Sequence, residues 1–326
     1  MTRIAGTLQR WFVQRLITEQ HVSDHTVAAY RDAIRLLVGY VHDHHGRIPA
    51  ELDFADLDTT IIGAFLTWLE TDRHASISTR NARRSAIRSF FTYASFHHPE
   101  HAQLIARVLA IPSKRAPAPL VTFLTPTEID AITVAPDPTT WTGRRDRCLL
   151  TVAIQTGLRV SELVALQRDD LTFGVGGHLR CIGKGRKHRA VPVTAHTQRM
   201  LTGWLAEHTH GPVFARSDGQ PLTRDAFRRI IDRHTITAAQ TCPTLTTKNI
   251  TPHVLRHTCA MQLLRAEVDI AVIALILGHT GIETTRVYLH ADHDIKQRAL
   301  DRLTPPDVQP GRYHPPDNLL AFLDAL

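Results

Sequence analysis

Residues 251 to 260 read TPHVLRHTCA, which sets His253, Arg256 and His257 within a turn and a half of an expected helix. Histidines at i, i+4 have the spacing by which zinc proteases hold their metal. Two features oppose that chemistry here. The glutamate of H-E-x-x-H is missing, since positions 254 to 256 are Val, Leu and Arg. Arg256 also falls on the face of His253, so a divalent cation would meet a fixed positive charge, at a cost on the order of several kcal/mol at an effective dielectric of about 20. An anion fits better. Thr251 suits the N-cap and Pro252 the first helical position, which leaves His253 and Arg256 in a first turn whose free N–H groups and dipole attract negative charge. His257 is expected to face the core beside Cys259 and Met261, as a hydrogen-bonded structural histidine.

Three further segments carry candidate chemistry. In TGLRVSEL, residues 156 to 163, Gly157 is expected to end one helix in a left-handed turn and Arg159 to open the next, with Glu162 within reach of its guanidinium. That pattern suits either a surface ion pair or a catalytic arginine whose fork a carboxylate holds in place. In IGKGRKHRAV, Gly183 and Gly185 flank Lys184 at the expected tip of a β-hairpin, and Arg186, Lys187, His188 and Arg189 extend the positive run. A solvated charged turn has this composition, and so does a hairpin laid against DNA. A nucleotide-binding P-loop does not, because its pattern needs glycine at His178 and serine or threonine at Gly185. In LGHTGIETTRVYLHAD, residues 277 to 292, His279 follows one helix and Tyr288 sits on the next. A lone tyrosine on an amphipathic helix is ordinarily a core or boundary residue.

Its company changes that reading. Arg159, Lys184, His253, Arg256, His279 and Tyr288 together supply two guanidinium forks, a flexible acid, two imidazoles and a phenol. Breaking a phosphodiester without metal needs an attacking group, neutralisation of the non-bridging oxygens and a proton for the departing oxygen. Arginine suits the second task because its fork matches phosphate bidentately. A phenol of pKa about 10 is a poor nucleophile at neutral pH, so a nearby imidazole or the field of the arginines must help remove its proton.

The elements that must position these groups follow from periodicity and punctuation. A chain of 326 residues exceeds what one core usually serves, so two domains are expected. The first third is dense in helical period, with helices expected near residues 4 to 20, 24 to 44, 57 to 72, 78 to 96 and 100 to 110, over a domain spanning 1–111. IPSKRAPAPLVT then replaces apolar periodicity with three prolines, Lys114 and Arg115, and reads as a linker over 112–122 suited to a phosphate backbone. A second, α-rich domain over 123–304 opens at Thr125, with Pro126 at the first helical position and Glu128 placed for a capping box. Glycine-punctuated runs at residues 171 to 193 read as two or three short strands, followed by helices near 195 to 208, 223 to 240, 252 to 267, 269 to 277 and 283 to 289. The tail, 305–326, ends in DNLLAFLDAL, whose apolar stripe must fold back or dock on a neighbour.

Composition narrows the partners. The net charge of +7 and pI near 9.6 suit a polyanion, though residues 1 to 111 hold 12 arginines and no lysine against 11 acids, so the excess is local. Cys148, Cys181, Cys242 and Cys259 are scattered without a C-x-x-C pair, as reduced buried thiols would be. No apolar run approaches the roughly 18 residues that span a bilayer, and MTRIAGTLQRWF lacks the apolar stretch of a secretion signal, so a cytoplasmic location with no membrane partner is expected.

TGLRVSEL, GKGRKHR, TPHVLRHT and LGHTGIETTRVYLH, in this order and spacing, resemble the signature of the tyrosine recombinases, the phage-integrase and Xer-like family. The likeness spans about residues 123 to 295, and the helical first third is similar to that family's SAM-like core-binding domain. It implies a mainly α fold of two domains, the catalytic one carrying a small β-sheet. It implies further that Tyr288 attacks the scissile phosphate to form a 3′-phosphotyrosyl link, that Arg159, Arg256 and His279 hold the phosphate, and that Lys184 protonates the leaving 5′ oxygen. His253 would act as base or orient the nucleophile, with Glu162 and His257 supporting. Neither metal nor another cofactor such as ATP is implied. The implied partners are duplex DNA with paired inverted-repeat sites, a homo-tetramer resolving a Holliday junction, and other recombinases or accessory factors, so that the bound protein would sit at the nucleoid. Arg80, Arg83, Arg84 and Arg88 in STRNARRSAIRSFF, opposite Ile87 and Phe91, are expected on phosphates together with Lys114, Arg115, Arg186 and Lys187. The tail would dock in trans, and the long tail and linker favour a mobile-element enzyme. Alternatives are a catalytically silent DNA-binding protein of the same fold and a type IB topoisomerase-like relaxase.

Overall fold

Ser23, Asp58 and Ser76 each accept a hydrogen bond from the backbone N–H three residues on, and each starts a helix. These are α2 (Asp24–His45), α3 (Thr59–Thr71) and α4 (Ile77–Ser95), preceded by α1 (Ile4–Arg10) and followed by α5 (Ala102–Leu109). The computed structural model describes residues 4–115, 121–183, 188–207, 211–279, 281, 283–290 and 323, and the chain divides into two compact units, Met1–Ala118 and Pro119–Leu326. The expected first helix has an unforeseen second half: Trp11–Glu19 is π-helical. Its i→i+5 bonding brings residues five apart onto one side, and Trp11 and Leu16 are both buried there. Trp11, Phe54, Phe65, Phe90 and Phe91 form the centre of the first unit's core.

The arginines of α4 are arranged differently from the phosphate-facing row expected of them. Helix α5 stops at Leu109 and leaves carbonyls without helical partners. Arg84 Nε donates to Ile111 O at 2.6 Å, Arg88 donates to Leu109 O, and Arg80 donates to Pro112 O at 3.2 Å. Arg80 is buried rather than displayed and also pairs with Glu70 at 3.4 Å, so the expectation of an exposed contact is corrected there. Arg83 donates to Ala29 O. Lys114 is exposed and pairs with Glu70 at 2.8 Å, and Arg115 is exposed.

The second unit opens with the capping box read from its sequence. Thr125 accepts from Glu128 N and Glu128 accepts from Thr125 N at the start of α6 (Pro126–Val134). Helix α7 (Trp141–Thr156) is buried almost all round, its charged Arg145 and Asp146 included. Against it pack α9 (Ala195–Glu207) and α11 (Pro252–Arg265), with α8 (Val160–Val164), α10 (Arg224–Ala239), α12 (Ile270–Leu277) and α13 (Glu283–Arg286) completing the described helices. The glycine-punctuated region forms three antiparallel strands in the order β1 (Leu171–Thr172), β2 (His178–Ile182), β3 (His188–Pro192). Cys181 pairs with Arg189 and Leu179 with Val191. Lys184, Arg186 and Lys187, between β2 and β3, lie outside the described residues, as does the tail apart from Leu323.

One buried polar group spans α7 and α10. Asp146 accepts from Arg145 Nη2 at 2.7 Å on one oxygen and lies 2.9 Å from His234 Nε2 with the other, all three side chains being buried. Replacing it strands both partners, a loss of about 3 to 5 kcal/mol when one member of a buried pair is removed. Asp146→Ala should therefore lower the urea midpoint of the second unit's unfolding while leaving far-UV helicity at low denaturant unchanged.

Candidate active site

Two helices of the second unit end at glycines, and those ends organise everything near them. Gly157 closes α7 at φ +58° and Gly278 closes α12 at φ +64°, conformations that side chains rarely adopt. A Cβ at Gly157 would sit 2.5 Å from Leu277 Cδ2, so the two ends are closely packed. Their carbonyls accept from arginines. Arg256 donates through Nη1 to Gly157 O and through Nη2 to Leu277 O, both at 2.6 Å, and Arg159 Nη2 donates to Gly278 O at 2.9 Å. Successive carbonyls of one helix terminus thus hold both guanidiniums, and a helix C-terminus favours positive charge.

Glu162 completes the frame. Arg159 occupies the N-cap position of α8, its backbone N–H donates to Glu162 Oε2 at 2.8 Å, and its Nη1 donates to Oε1 at 3.0 Å. Burial works to raise the Glu162 pKa, but hydrogen bonds from Arg189 and from the Arg159 backbone hold it below the ordinary value. Arg256 is buried, and desolvation together with the charge of Arg159 lowers its pKa to about 10. It stays cationic at neutral pH.

Tyr288 lies on the single 3-10 turn Val287–His290 and is only 3% exposed, packed with Cys259, Met261, Ile273 and Leu277. Burial raises its pKa, and the nearby Arg256 charge opposes that shift. Its Oη lies 2.9 Å from His257 Nδ1. That contact corrects the expectation for His257. The i, i+4 step from His253 carries it one turn deeper into α11, where Tyr288 packs, so it touches the phenol instead of serving the core alone. Burial and the neighbouring His253 and Arg256 lower its pKa, which keeps the imidazole neutral. His253 itself is exposed, its ring centroid 6.5 Å from that of His257. Within the first turn of α11, His253 is thus exposed while Arg256 is buried.

His279 follows Gly278 directly, and its Nδ1 lies 2.7 Å from the buried Thr285 Oγ1. Its ring centroid is 6.5 Å from that of Tyr288. The structure thus brings together Arg159, Arg256, His257, His279 and Tyr288 around the C-terminus of α12. Sequence reading missed two members. From sequence Arg189 reads as part of a basic run, although strand alternation from Val191 puts it on the inward face, and Thr285 carries no signal without the fold. Among the described residues no cluster of three His, Cys, Asp or Glu is placed to hold a metal ion, and no helix is long and apolar enough to cross a membrane.

The electrostatics give a measurable consequence. Desolvation, then the charges of Arg256 and Arg159, push the His279 pKa from 6.5 down to about 4. Since the unfolded chain binds this proton more readily, the stability contributed is complete above pH about 6.5 and is lost as pH falls through about 4. Wild type should lose more stability than His279→Gln between pH 7 and pH 4.5 in urea titrations. An imidazole resonance titrating near 6.5 would contradict this environment.

Residues 122–294 match the Phage integrase family, and residues 10–96 match the phage integrase N-terminal SAM-like domain. The chain is 46% identical to y4rC of Sinorhizobium fredii, which carries the name integrase/recombinase, over 99% of this chain and 98% of that protein. It is 35% identical to the tyrosine recombinase XerC of Rhodospirillum centenum over 88% of this chain and 83% of that one. Its fold is similar to that of the XerH site-specific recombinase bound to a palindromic difH substrate, with a TM-score of 0.64 at 22% identity, covering 85% of this chain and 79% of that one. With its two matched regions and its arginine-framed tyrosine, the chain belongs to the phage integrase family of tyrosine recombinases.

Proposed function

We propose that this chain is a site-specific DNA recombinase that cleaves and rejoins duplex DNA through Tyr288. The observation that carries the reading is the convergence of Arg159, Arg256 and His279 on the end of α12, beside a tyrosine whose Oη is 2.9 Å from a neutral histidine. Two fixed guanidiniums can take the non-bridging oxygens of a phosphodiester, where they act without reorganising during the reaction. The Tyr288 Oη–P bond forms, the P–O5′ bond breaks and the phenol proton passes to His257, the imidazole in contact with it. The resemblance would give that task to His253, which stands one turn earlier and exposed. Lys184, carried between β2 and β3, supplies the proton to the departing 5′ oxygen. A second 5′ hydroxyl then attacks the 3′-phosphotyrosyl link, which preserves the phosphate bond energy, so neither ATP nor metal takes part. Because Tyr288 is closed off from solvent, the Glu283–His290 segment must rearrange to present it.

The same reading makes the functional unit a tetramer on paired inverted-repeat sites, passing through a Holliday junction. It favours the integration or excision of a mobile element, consistent with the integrase name borne by y4rC. Residues 1–111 serve as the core-binding domain, 112–122 as linker and 123–304 as catalytic domain, and the tail docks on a neighbouring subunit. Arg83, Arg88, Lys114, Arg115, Arg186 and Lys187 contact phosphates.

Nicked duplexes with a randomised target region, selected for SDS-resistant protein adducts, test the reading. Wild type should enrich one sequence class and form the adduct equally in EDTA, and Tyr288→Phe should form none. An adduct persisting in Tyr288→Phe would sink the assignment. Joined products from two such sites distinguish a recombinase from a relaxase, and binding without any adduct would mark a silent DNA-binding protein.

A further inference from the structure

Arg189 lies outside the six residues to which the family signature points, yet it makes the most complete ion pair near them. Its Nη1 donates to Glu162 Oε1 at 2.9 Å and its Nη2 to Oε2 at 2.8 Å, a bidentate fork on a carboxylate that is 3% exposed. Each Glu162 oxygen therefore has two donors, one from Arg159 and one from Arg189. The guanidinium also lies against the α12 terminus, with Nε 3.3 Å from Ile276 O, and a Cβ on Gly278 would fall 2.8 Å from Nη1. Arg189 thus ties β3 to α8 and to the glycine turn that leads into His279.

The charges explain why this matters. With Arg159 alone, the Glu162 carboxylate would cancel the positive charge offered to a phosphate. Arg189 neutralises the carboxylate instead, so Arg159, Arg189 and Arg256 against Glu162 leave two positive charges beside the tyrosine. We infer that Arg189 is a positioning residue for DNA cleavage: it holds Glu162 as a neutral clamp, so that Arg159 is fixed by the carboxylate without surrendering its charge to it. This rests on the phosphotyrosyl reading of the site.

The test uses the full chain and the nicked duplex that wild type enriches. If wild type forms no adduct, the phosphotyrosyl reading fails before Arg189 is reached. If it does, Arg189→Met should slow adduct formation by roughly 30- to 100-fold, with noncovalent binding, measured in a Tyr288→Phe background, within about threefold. Adding Glu162→Gln to Arg189→Met should recover roughly tenfold of the lost rate, because the orphaned carboxylate no longer cancels Arg159. The defect should persist on a duplex with sulfur at the bridging 5′ position, where the P–S bond breaks and the thiolate leaves unprotonated. Arg189→Lys, which keeps the charge and loses the fork, should fall between wild type and Arg189→Met and guards against misfolding, read by its urea midpoint. Wild-type rates in Arg189→Met, absence of recovery in the double variant, or repair of the defect by the sulfur substrate would each overturn the inference, the last by placing the effect on Lys184.

Discussion

The second unit depends on guanidinium groups binding the carbonyls of helices that stop at glycine. An α-helix leaves its last carbonyls unpaired, and a left-handed glycine turns the chain away from the helix end, where other donors can reach them. Gly157 and Gly278 do this at neighbouring points, and Arg256 bridges the two ends. The cation gains hydrogen bonds and a favourable dipole, while the termini gain the donors they lack. A buried arginine is costly unless paired, and desolvation, then the charge of Arg159, lowers the Arg256 pKa to about 10. That cost is offset by the packing of α7, α11 and α12, whose cores include Cys259, Leu277 and Met261.

The same solution recurs in the first unit. Arginines on α4 donate to the carbonyls of Leu109, Ile111 and Pro112, where α5 ends. Basic side chains on one helix face thus bind the protein's own backbone, Arg88 while remaining exposed. Arg84 shows the strain of the crowding, its pKa lowered by desolvation and then by Arg88 and Arg80. Basic residues are therefore read best by what their forks can reach, since charge alone does not distinguish a helix terminus from a phosphate.

Around the tyrosine, two histidines divide the work by depth. His257 and His279 are both depressed in pKa by burial and then by the surrounding positive charge, which favours the neutral form of each at neutral pH. Neutral imidazoles can accept or relay a proton where protonated ones could not. Burial contributes most to that depression, and the neighbouring positive charges add to it.

Much of this was legible in the chain. The start of α6 followed from the Thr125–Glu128 box and that of α11 from Thr251 and Pro252, because caps are local chemistry. The strands followed from glycine-punctuated runs, and the Arg159–Glu162 contact from a three-residue step on one helix. The π-helical turn at Trp11 was not legible, since it answers to packing against α2 and α4 rather than to local preference. Nor was the contact of His257 with Tyr288, 31 residues away, or that of Arg189 with Glu162, 27 residues away. Sequence by itself determined which groups were available, in what order, and that a helix ends at Gly157. Tertiary structure alone decided which cation met which carbonyl and which imidazole met the phenol, because those pairings join elements distant in sequence, and only packing sets the distances between them.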